Sequence, residues 1–229
     1  IITDKITGGS VGAALENNAV LANASSLFRE KELPIYCVKT DKKQIALTFD
    51  GAWGNEDTST LLDILEQQNV TATFFFTGGW MEKFPDDIKY IYEQGHEIGN
   101  HGYFHKAHEK MDFTQNEKEI VACNRFIELA LGQAPTLFAP PSGAYNEETL
   151  AVCKALGMKT VLWSKDTIDW RDKNAALIYQ RATKNVKSGD FVLLHPMAQT
   201  ADALEDILKY YQRNSLTTVT VSENLEEKG

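Results

Sequence analysis

From Gln44 onward, short runs of β-branched and aromatic residues alternate with longer segments of helical periodicity. This alternation is typical of a parallel sheet built from βα units. Strands are predicted over Gln44–Phe49, Thr71–Phe76, His96–Gly99, Thr136–Phe138, Thr160–Trp163, Phe191–Leu194 and Thr217–Val221. Helices are predicted over Thr58–Gln68, Pro85–Glu93, Gln115–Leu131, Glu147–Leu156, Ala175–Lys187 and Ala201–Arg213. The sequence therefore predicts an α/β fold, a distorted parallel (β/α) barrel of about seven strands.

The first 43 residues lack this alternation, and a segment of that length is too short to bury a good core alone. We expect residues 1–43 to form an N-terminal extension, helical around Val11–Leu27, that packs on a catalytic domain spanning residues 44–229. The sequence begins at Ile1 without a Met, a basic leader region or an apolar leader run. It is therefore expected to be a piece of a longer protein.

Charge and composition exclude several classes of protein. The formal net charge of −9 argues against binding to nucleic-acid phosphates, which requires clustered Lys and Arg. No apolar run is long enough to span a bilayer, which needs about 18 residues or more. Cys37, Cys123 and Cys153 are odd in number and far apart, so they predict neither a disulfide framework nor a zinc knuckle. Nothing in the sequence specifies the oligomeric state.

Reactive side chains follow most of the predicted strands. In a βα barrel the carboxyl ends of the strands meet on one rim, where the chemistry is done. The candidates there are Asp50, His101, His105, the segment Pro140-Pro141-Ser142-Gly143, Asp166, Asp169 and His195. Two of them, His101 and His105, are imidazoles four residues apart, and neutral imidazole is the commonest ligand of zinc-like metals. The sequence predicts a metal-assisted site on this rim.

Five segments at these positions, taken in order along the chain, resemble the motifs of the polysaccharide deacetylases, carbohydrate esterase family four. They are Thr48–Asp50, His101–His105, Phe138–Gly143, Trp163–Trp170 and Leu193–His195, and the resemblance covers about Gln44 to Leu225. The stretch 48–57 and the ending Leu194-His195-Pro196 are most similar to the sporulation-associated branch. The resemblance implies a hydrolase that removes N-acetyl or O-acetyl groups from a polysaccharide such as peptidoglycan or a chitin-like glycan. It implies action outside the cell, at the cell wall or the spore.

The resemblance also implies a role for each motif residue. Asp50 would be the general base, His195 the general acid, and Asp169 the partner that tunes His195. His101 and His105 would hold a divalent metal, with zinc expected first and cobalt or nickel as other possibilities.

The same resemblance implies that three further residues bind the substrate. Trp163, Leu193 and the backbone of Ser142 would line the pocket for the acetyl group. The Ser142 N–H would also help to stabilise the oxyanion formed when water attacks the acetyl carbonyl.

Two positions depart from the family pattern. Gly51 stands where the family usually has an Asp that is the third metal ligand, and Ala139 stands where it usually has an Arg that holds the base. Two histidines alone rarely bind zinc tightly. Asp57, or its neighbour Glu56, could reach back to the metal, or Asp50 could become a ligand and leave the base role to another group.

These departures keep two other functions open. One is a family member that binds glycan without turnover, which the loss of the Asp and the Arg favours. The other is a small-molecule amidohydrolase, which would have an enclosed pocket instead of an open groove. The retained His195 with its Asp169 partner favours the deacetylase, because a protein without catalysis has no physical need for that pair.

Six more side chains have alternative interpretations. Trp53, Trp80 and Tyr145 either stack on sugar rings at the rim or, as aromatics in barrels more often do, pack within the protein. His96 is expected to be structural and His108 to lie at the surface. Asp166 is expected to cap the turn into Thr167-Ile168.

Overall fold

The computed structural model describes residues 33–226. The strands are β1 Gln44–Gly51, β2 Thr73–Phe76, β3 Glu97–Asn100, β4 Leu137–Phe138, β5 Lys159–Thr160, β6 Lys165–Asp166, β7 Phe191–Leu194 and β8 Thr217–Val219. The helices are α1 Thr58–Gln67, α2 Gly78–Lys83, α3 Pro85–Glu93, α4 Phe113–Leu131, α5 Glu147–Ala155, α6 Ala175–Thr183, α7 Ala198–Arg213 and α8 Val221–Leu225. Single turns of 3₁₀ helix lie at His108–Lys110 and Pro141–Gly143.

The strands form one sheet in which each ladder is parallel. Their order is β5-β4-β3-β2-β1-β7-β6. Strand β8 lies outside this order and pairs with the first residues of β1. With helices between most successive strands, this arrangement confirms the predicted α/β fold and parallel (β/α) barrel. All of the carboxyl ends therefore point to one rim.

Alternation along the strands separates the two faces of the sheet. On β1, Ile45, Leu47 and Phe49 belong to the large cluster formed with the surrounding helices. Ala46 instead packs in a smaller cluster in which strand residues predominate, and that cluster is the barrel interior. Because successive side chains point to opposite faces, Asp50 shares the interior parity of Ala46 and lies at the strand's carboxyl end.

The segment before β1 runs from the β5 edge of the sheet to the start of β7. Ile35 forms a parallel bridge with Val161 beyond β5, and Cys37 forms an antiparallel bridge with Asp190 just before β7. Residues 33–43 therefore pack on the barrel, whereas the helix predicted over Val11–Leu27 lies outside the described residues. Across residues 33–226, no helix has both the length and the apolar character needed to cross a bilayer.

Several element boundaries differ from the sequence prediction. Helix α2 was missed because it opens with two glycines, which are poor helix formers, yet Thr77 caps it by accepting a hydrogen bond from the Trp80 N–H. The last predicted strand ends at Val219, because Thr220 and Glu223 form a capping box that starts α8 instead. Strand β6 has only two residues and carries no periodic signal.

His96 predicts how stability depends on pH. The ring is buried, its Nδ1 accepts a hydrogen bond of 3.1 Å from the Ala72 N–H, and burial lowers its pKa to about 4. An unfolded histidine titrates near 6.5, so the unfolded chain binds the proton first and the free energy of unfolding falls as the pH drops from about 6.5 towards 4. Between pH 7.5 and 5 this one group should cost about 2 kcal/mol.

The measurement is urea unfolding of the wild type and His96→Asn at both pH values. The asparagine oxygen can still accept from Ala72 but has no proton to take up, so the variant should lose less stability on acidification. An identical loss in the two proteins would contradict this assignment.

Candidate active site

The candidate residues come together on the rim as their positions at the strand ends predicted. Asp50 lies at the end of β1, His101 directly follows β3, Ala139 follows β4, Asp169 lies three residues beyond β6, and His195 directly follows β7. Parallel neighbours bring these ends side by side, since β1 pairs with both β2 and β7 and β2 pairs with β3. Residues far apart in the chain thus share one site.

His195 and Asp169 form a tightly held pair. The His195 Nδ1 lies 2.7 Å from the Asp169 Oδ1, and the His195 backbone N–H donates to Oδ2 at 2.7 Å. The Thr200 hydroxyl also donates to Oδ2 at 2.7 Å, and Asp169 is fully buried. Because a carboxylate only accepts hydrogen bonds, Nδ1 carries a proton and Nε2 is left for a substrate.

The same contacts set the protonation of His195. Burial lowers its pKa, but the hydrogen bond and charge of Asp169, helped by Asp50, outweigh burial and leave the pKa raised. The ring is thus suited to hold a proton near neutral pH and to give it up to a leaving group.

The pKa of Asp50 is unusually high for a carboxyl group. Asp50 is only 8% exposed, and burial raises its pKa to about 7, against the opposing charge of His195. Its Oδ2 lies 3.9 Å from the Nε2 of His101. A carboxyl group that titrates near neutral pH can both accept and release a proton there, which is what a general base requires.

The two imidazoles of the predicted metal site lie next to each other. The Nδ1 of His101 donates to the Ala139 carbonyl at 2.8 Å, so its Nε2 presents a lone pair towards Asp50. The rings of His101 and His105 are 5.1 Å apart between centroids. Burial lowers the pKa of both, to about 3 for His101, which keeps them neutral as metal ligands must be.

A buried carboxylate on α4 clamps the loop that carries these histidines. Glu119 Oε2 accepts from the backbone N–H groups of Tyr103 and Phe104 at 3.1 and 2.9 Å, and Oε1 pairs with the Lys106 ammonium at 2.9 Å. The clamp brackets His105, whose backbone has a φ of 53°. It therefore holds a conformation that non-glycine residues rarely adopt.

His108 supports the same loop from beneath. It is fully buried, so the predicted surface position was wrong. Its Nδ1 donates to the Asn116 Oδ1 at 2.7 Å, and the Thr149 hydroxyl donates to the same oxygen at 2.9 Å. Its ring packs at 5.1 Å from that of Phe138. The residue joins the loop to α4 and α5.

We expect Glu119→Gln to loosen the histidine loop. In either orientation the amide sets its NH₂ donor against other donors, either the two backbone N–H groups or the Lys106 ammonium, and the ion pair is lost, which should cost about 1–3 kcal/mol of stability. Hydrogen exchange of the Tyr103 and Phe104 amides should accelerate. Glu117→Gln on the same helix should change neither the stability nor this exchange. Unaltered exchange in Glu119→Gln would rule out the clamp.

The three residues predicted to line the acetyl pocket lie around this rim. Ser142 occupies the 3₁₀ turn after β4 with a φ of 56°. The next residue, Gly143, lies so close to Trp163 that a Cβ there would be 2.8 Å from the indole. Leu193, 3% exposed, precedes His195 by two residues on β7. The turn and the indole are in contact, and the roles of all three in substrate binding remain predictions.

The role of Asp57 as the third metal ligand stays a prediction. Asp57 immediately precedes α1, and across residues 33–226 no three or more His, Cys, Asp or Glu side chains are arranged to hold a metal. The Glu56 carboxylate is turned towards Gly54. The side chain of Ala139 packs in the barrel interior. The two imidazoles are suitable ligands for a divalent cation, and within residues 33–226 no third protein ligand is arranged with them.

Exposed aromatic side chains surround the site. Trp53 is 73% exposed, and its ring lies 4.6 Å from that of His105. Phe104 and Trp170 are also exposed. Asp166 accepts a hydrogen bond from the Ile168 N–H at 2.8 Å, which confirms its predicted role in the turn.

A parallel barrel with a titrating carboxyl, two neutral imidazoles and a histidine–aspartate pair on one rim defines a hydrolase of the acyl-transfer kind. The sequence profile of the polysaccharide deacetylases matches residues 38–161. The chain belongs to that family, carbohydrate esterase family 4, and the predicted enzyme class is confirmed at the level of the family.

Two relatives show how far the similarity extends. A peptidoglycan-N-acetylglucosamine deacetylase of Bacillus cereus is 36% identical over 197 residues, which cover 83% of this chain and 92% of that protein. The uncharacterized protein YlxY of Bacillus subtilis is 34% identical over 194 residues. That match covers 85% of this chain and 61% of YlxY, so the chain spans less than two thirds of that relative.

A solved structure adds a contrast. The wild-type protein BA3943 of Bacillus anthracis superposes with a TM-score of 0.82 and 33% identity, covering 85% of this chain and 69% of that one. It is described as a pseudoenzyme of the same family, and a mutant of it as having restored enzymatic activity. Family membership therefore does not by itself establish turnover, and the groups present in each site must decide it.

Proposed function

We propose that this chain removes acetyl groups from the amino sugars of cell-wall glycan, with peptidoglycan as the substrate class. The observation that carries the proposal is the convergence of Asp50 with the His195–Asp169 pair on the rim beside His101. The Bacillus cereus relative named as a peptidoglycan-N-acetylglucosamine deacetylase supports the substrate class, and with it action at the cell wall. A chitin-like or O-acetylated glycan offers the same acetyl carbonyl.

Asp50 is proposed to start the reaction. With a pKa raised to about 7 by burial, it takes the proton from the water that attacks the acetyl carbonyl. A divalent cation held by His101 and His105, with zinc expected first and cobalt or nickel as alternatives, would supply Lewis-acid polarisation and lower the pKa of water to about 7. The Ser142 N–H is proposed to donate to the oxyanion, as a backbone donor on the rim can.

His195 is proposed to finish the reaction. The departing amine needs a proton, and the Nε2 of His195 provides it while Asp169 holds the opposite nitrogen and stabilises the charged ring. Trp163 and Leu193 are proposed to enclose the acetyl methyl, because both are apolar and both lie next to strand ends on this rim.

The test is acetate release from peptidoglycan fragments and from chitin oligomers, with zinc, cobalt or nickel added and after chelation. We expect release that depends on the added cation, with Asp50→Asn inactive. Release by Asp50→Asn equal to that of the wild type, or no release with any cation, would overturn the proposal.

A second candidate is glycan binding without turnover. Two observations favour it: within residues 33–226 no group of three or more possible ligands includes the histidines, and Trp53 is exposed where a sugar ring could stack on it. This function would give retention on insoluble peptidoglycan that is independent of cations and is weakened by Trp53→Ala. Trp170→Ala is the matched variant of a second exposed tryptophan.

A further inference from the structure

The side-chain space of residue 51 is filled by an aromatic ring. A Cβ built on Gly51 would lie 2.5 Å from both Cδ1 and Cε1 of Phe76 and 3.6 Å from the Cγ of Pro196. Carbon atoms in packed interiors do not approach to 2.5 Å, because the optimum separation is about 3.5–4.0 Å. Any side chain at position 51 therefore requires Phe76 to move.

Phe76 is held where it is. The ring is fully buried and stacks on Trp80 with centroids 3.9 Å apart and planes 9° from parallel. Trp80 is itself 1% exposed, and its Nε1–H donates to the carbonyl of Gly54, in the loop that follows β1. The two rings and the loop after β1 are thus one packed unit, and a rotation of Phe76 would break the stack.

Position 51 lies at the level of the metal ligands. The strand register pairs Gly51 with Phe76 on β2, and Phe76 with Asn100 on β3. Asn100 is followed directly by His101, whose backbone N–H donates to the Phe76 carbonyl at 3.1 Å. A carboxylate carried by residue 51 would therefore emerge two strands from the imidazoles, with only β2 between them, through the space that the Phe76 ring now fills.

We infer that Phe76 and Gly51 act together to keep this metal site at two protein ligands, so that divalent cations bind weakly and a carboxylate at position 51 can serve as a ligand only when the ring is removed. The inference deepens the proposed function, since it concerns the same site, but it predicts cation affinity and does not require turnover. It makes Phe76 a residue that sets metal affinity without touching the metal.

The test compares cation binding by four proteins: the wild type, Gly51→Asp, Phe76→Val and the double variant. Titration calorimetry with Zn²⁺ and the visible spectrum of bound Co²⁺ give affinity and coordination, and His101→Ala in each background is the blank. Thermal unfolding checks that each variant folds, and Phe76→Leu replaces Phe76→Val if the valine variant does not.

We expect neither single substitution to tighten binding, and Gly51→Asp to lower the unfolding temperature because the carboxylate is forced against the ring. The double variant should bind Zn²⁺ at least about 10-fold more tightly than either single variant, since a missing ligand is restored, and should give a tetrahedral Co²⁺ spectrum. Tight binding by Gly51→Asp alone without loss of stability, or a folded double variant with no gain, would overturn the inference.

Acetate release by the same proteins separates this inference from the proposed function. A double variant that gains affinity but releases no acetate supports the inference and counts against the deacetylase. A wild type that binds Zn²⁺ tightly in a His101-dependent way and releases acetate supports the deacetylase and overturns the inference.

Discussion

His195→Ala is expected to abolish acetate release and to leave the amount of bound cation unchanged. The His195 imidazole follows β7 and is held by Asp169, whereas the proposed metal ligands His101 and His105 follow β3, so its removal should take away the proposed proton donor and neither proposed metal ligand. Loss of a general acid typically costs ~10²–10⁴-fold in rate. The measurement is initial acetate release at saturating cation, with cation content determined by elemental analysis of the same samples.

The matched variant is His101→Ala, which should lose both activity and bound cation. The Nε2 of His101 carries the lone pair that faces Asp50, whereas its Nδ1 donates to the Ala139 carbonyl. Equal loss of cation in the two variants would contradict the separate roles assigned to the two histidines.

The sequence allowed the fold to be predicted from local rules, and it placed His195 and Asp169 after strands at the same rim. Alternating strands and helices require a parallel sheet, and a parallel sheet brings strand ends to one rim. Asp169 and His195 are 26 positions apart in the chain, yet each follows a strand closely, and β6 and β7 are neighbours. The resemblance to the family motifs implied their pairing, and the adjacent strands β6 and β7 account for it in the structure.

The remainder of the site depends on packing between elements, which no local pattern reports. Glu119 lies in the middle of a helix and gave no motif, yet it clamps the histidine loop. Phe76 was visible only as the last residue of an apolar strand, and its role follows from the missing side chain of Gly51 across the strand pair. Asp57 was predicted as a metal ligand from its proximity in sequence; it lies directly before α1, and its role as a ligand stays a prediction.

The second prediction concerns Asp169, the carboxylate that holds the His195 ring. We expect Asp169→Asn to lower acetate release by ~10²–10⁴-fold, comparable to loss of the general acid itself. Both oxygens of Asp169 accept hydrogen bonds: Oδ1 from the His195 ring, and Oδ2 from the His195 backbone N–H and the Thr200 hydroxyl. An amide supplies one acceptor and one donor, so one of these sides must meet donor against donor.

Each orientation of the amide damages the site in a way that can be measured. If the amide nitrogen faces the imidazole, Nδ1 must give up its proton and the ring can no longer be held as a cation. If it faces Thr200 instead, buried donors lose their acceptor, at about 1–3 kcal/mol. Removing the carboxylate charge also leaves burial as the main influence on the pKa of His195, so that pKa should fall. Activity should then begin to decline at a lower pH than in the wild type.

Asp166→Asn is the control, since Asp166 acts on His195 only through its charge and caps its own turn through a single oxygen. Rate, pH profile and unfolding free energy should all change in Asp169→Asn and stay near wild type in Asp166→Asn. An Asp169→Asn enzyme with the wild-type pH profile would show that the pair serves folding and not proton transfer.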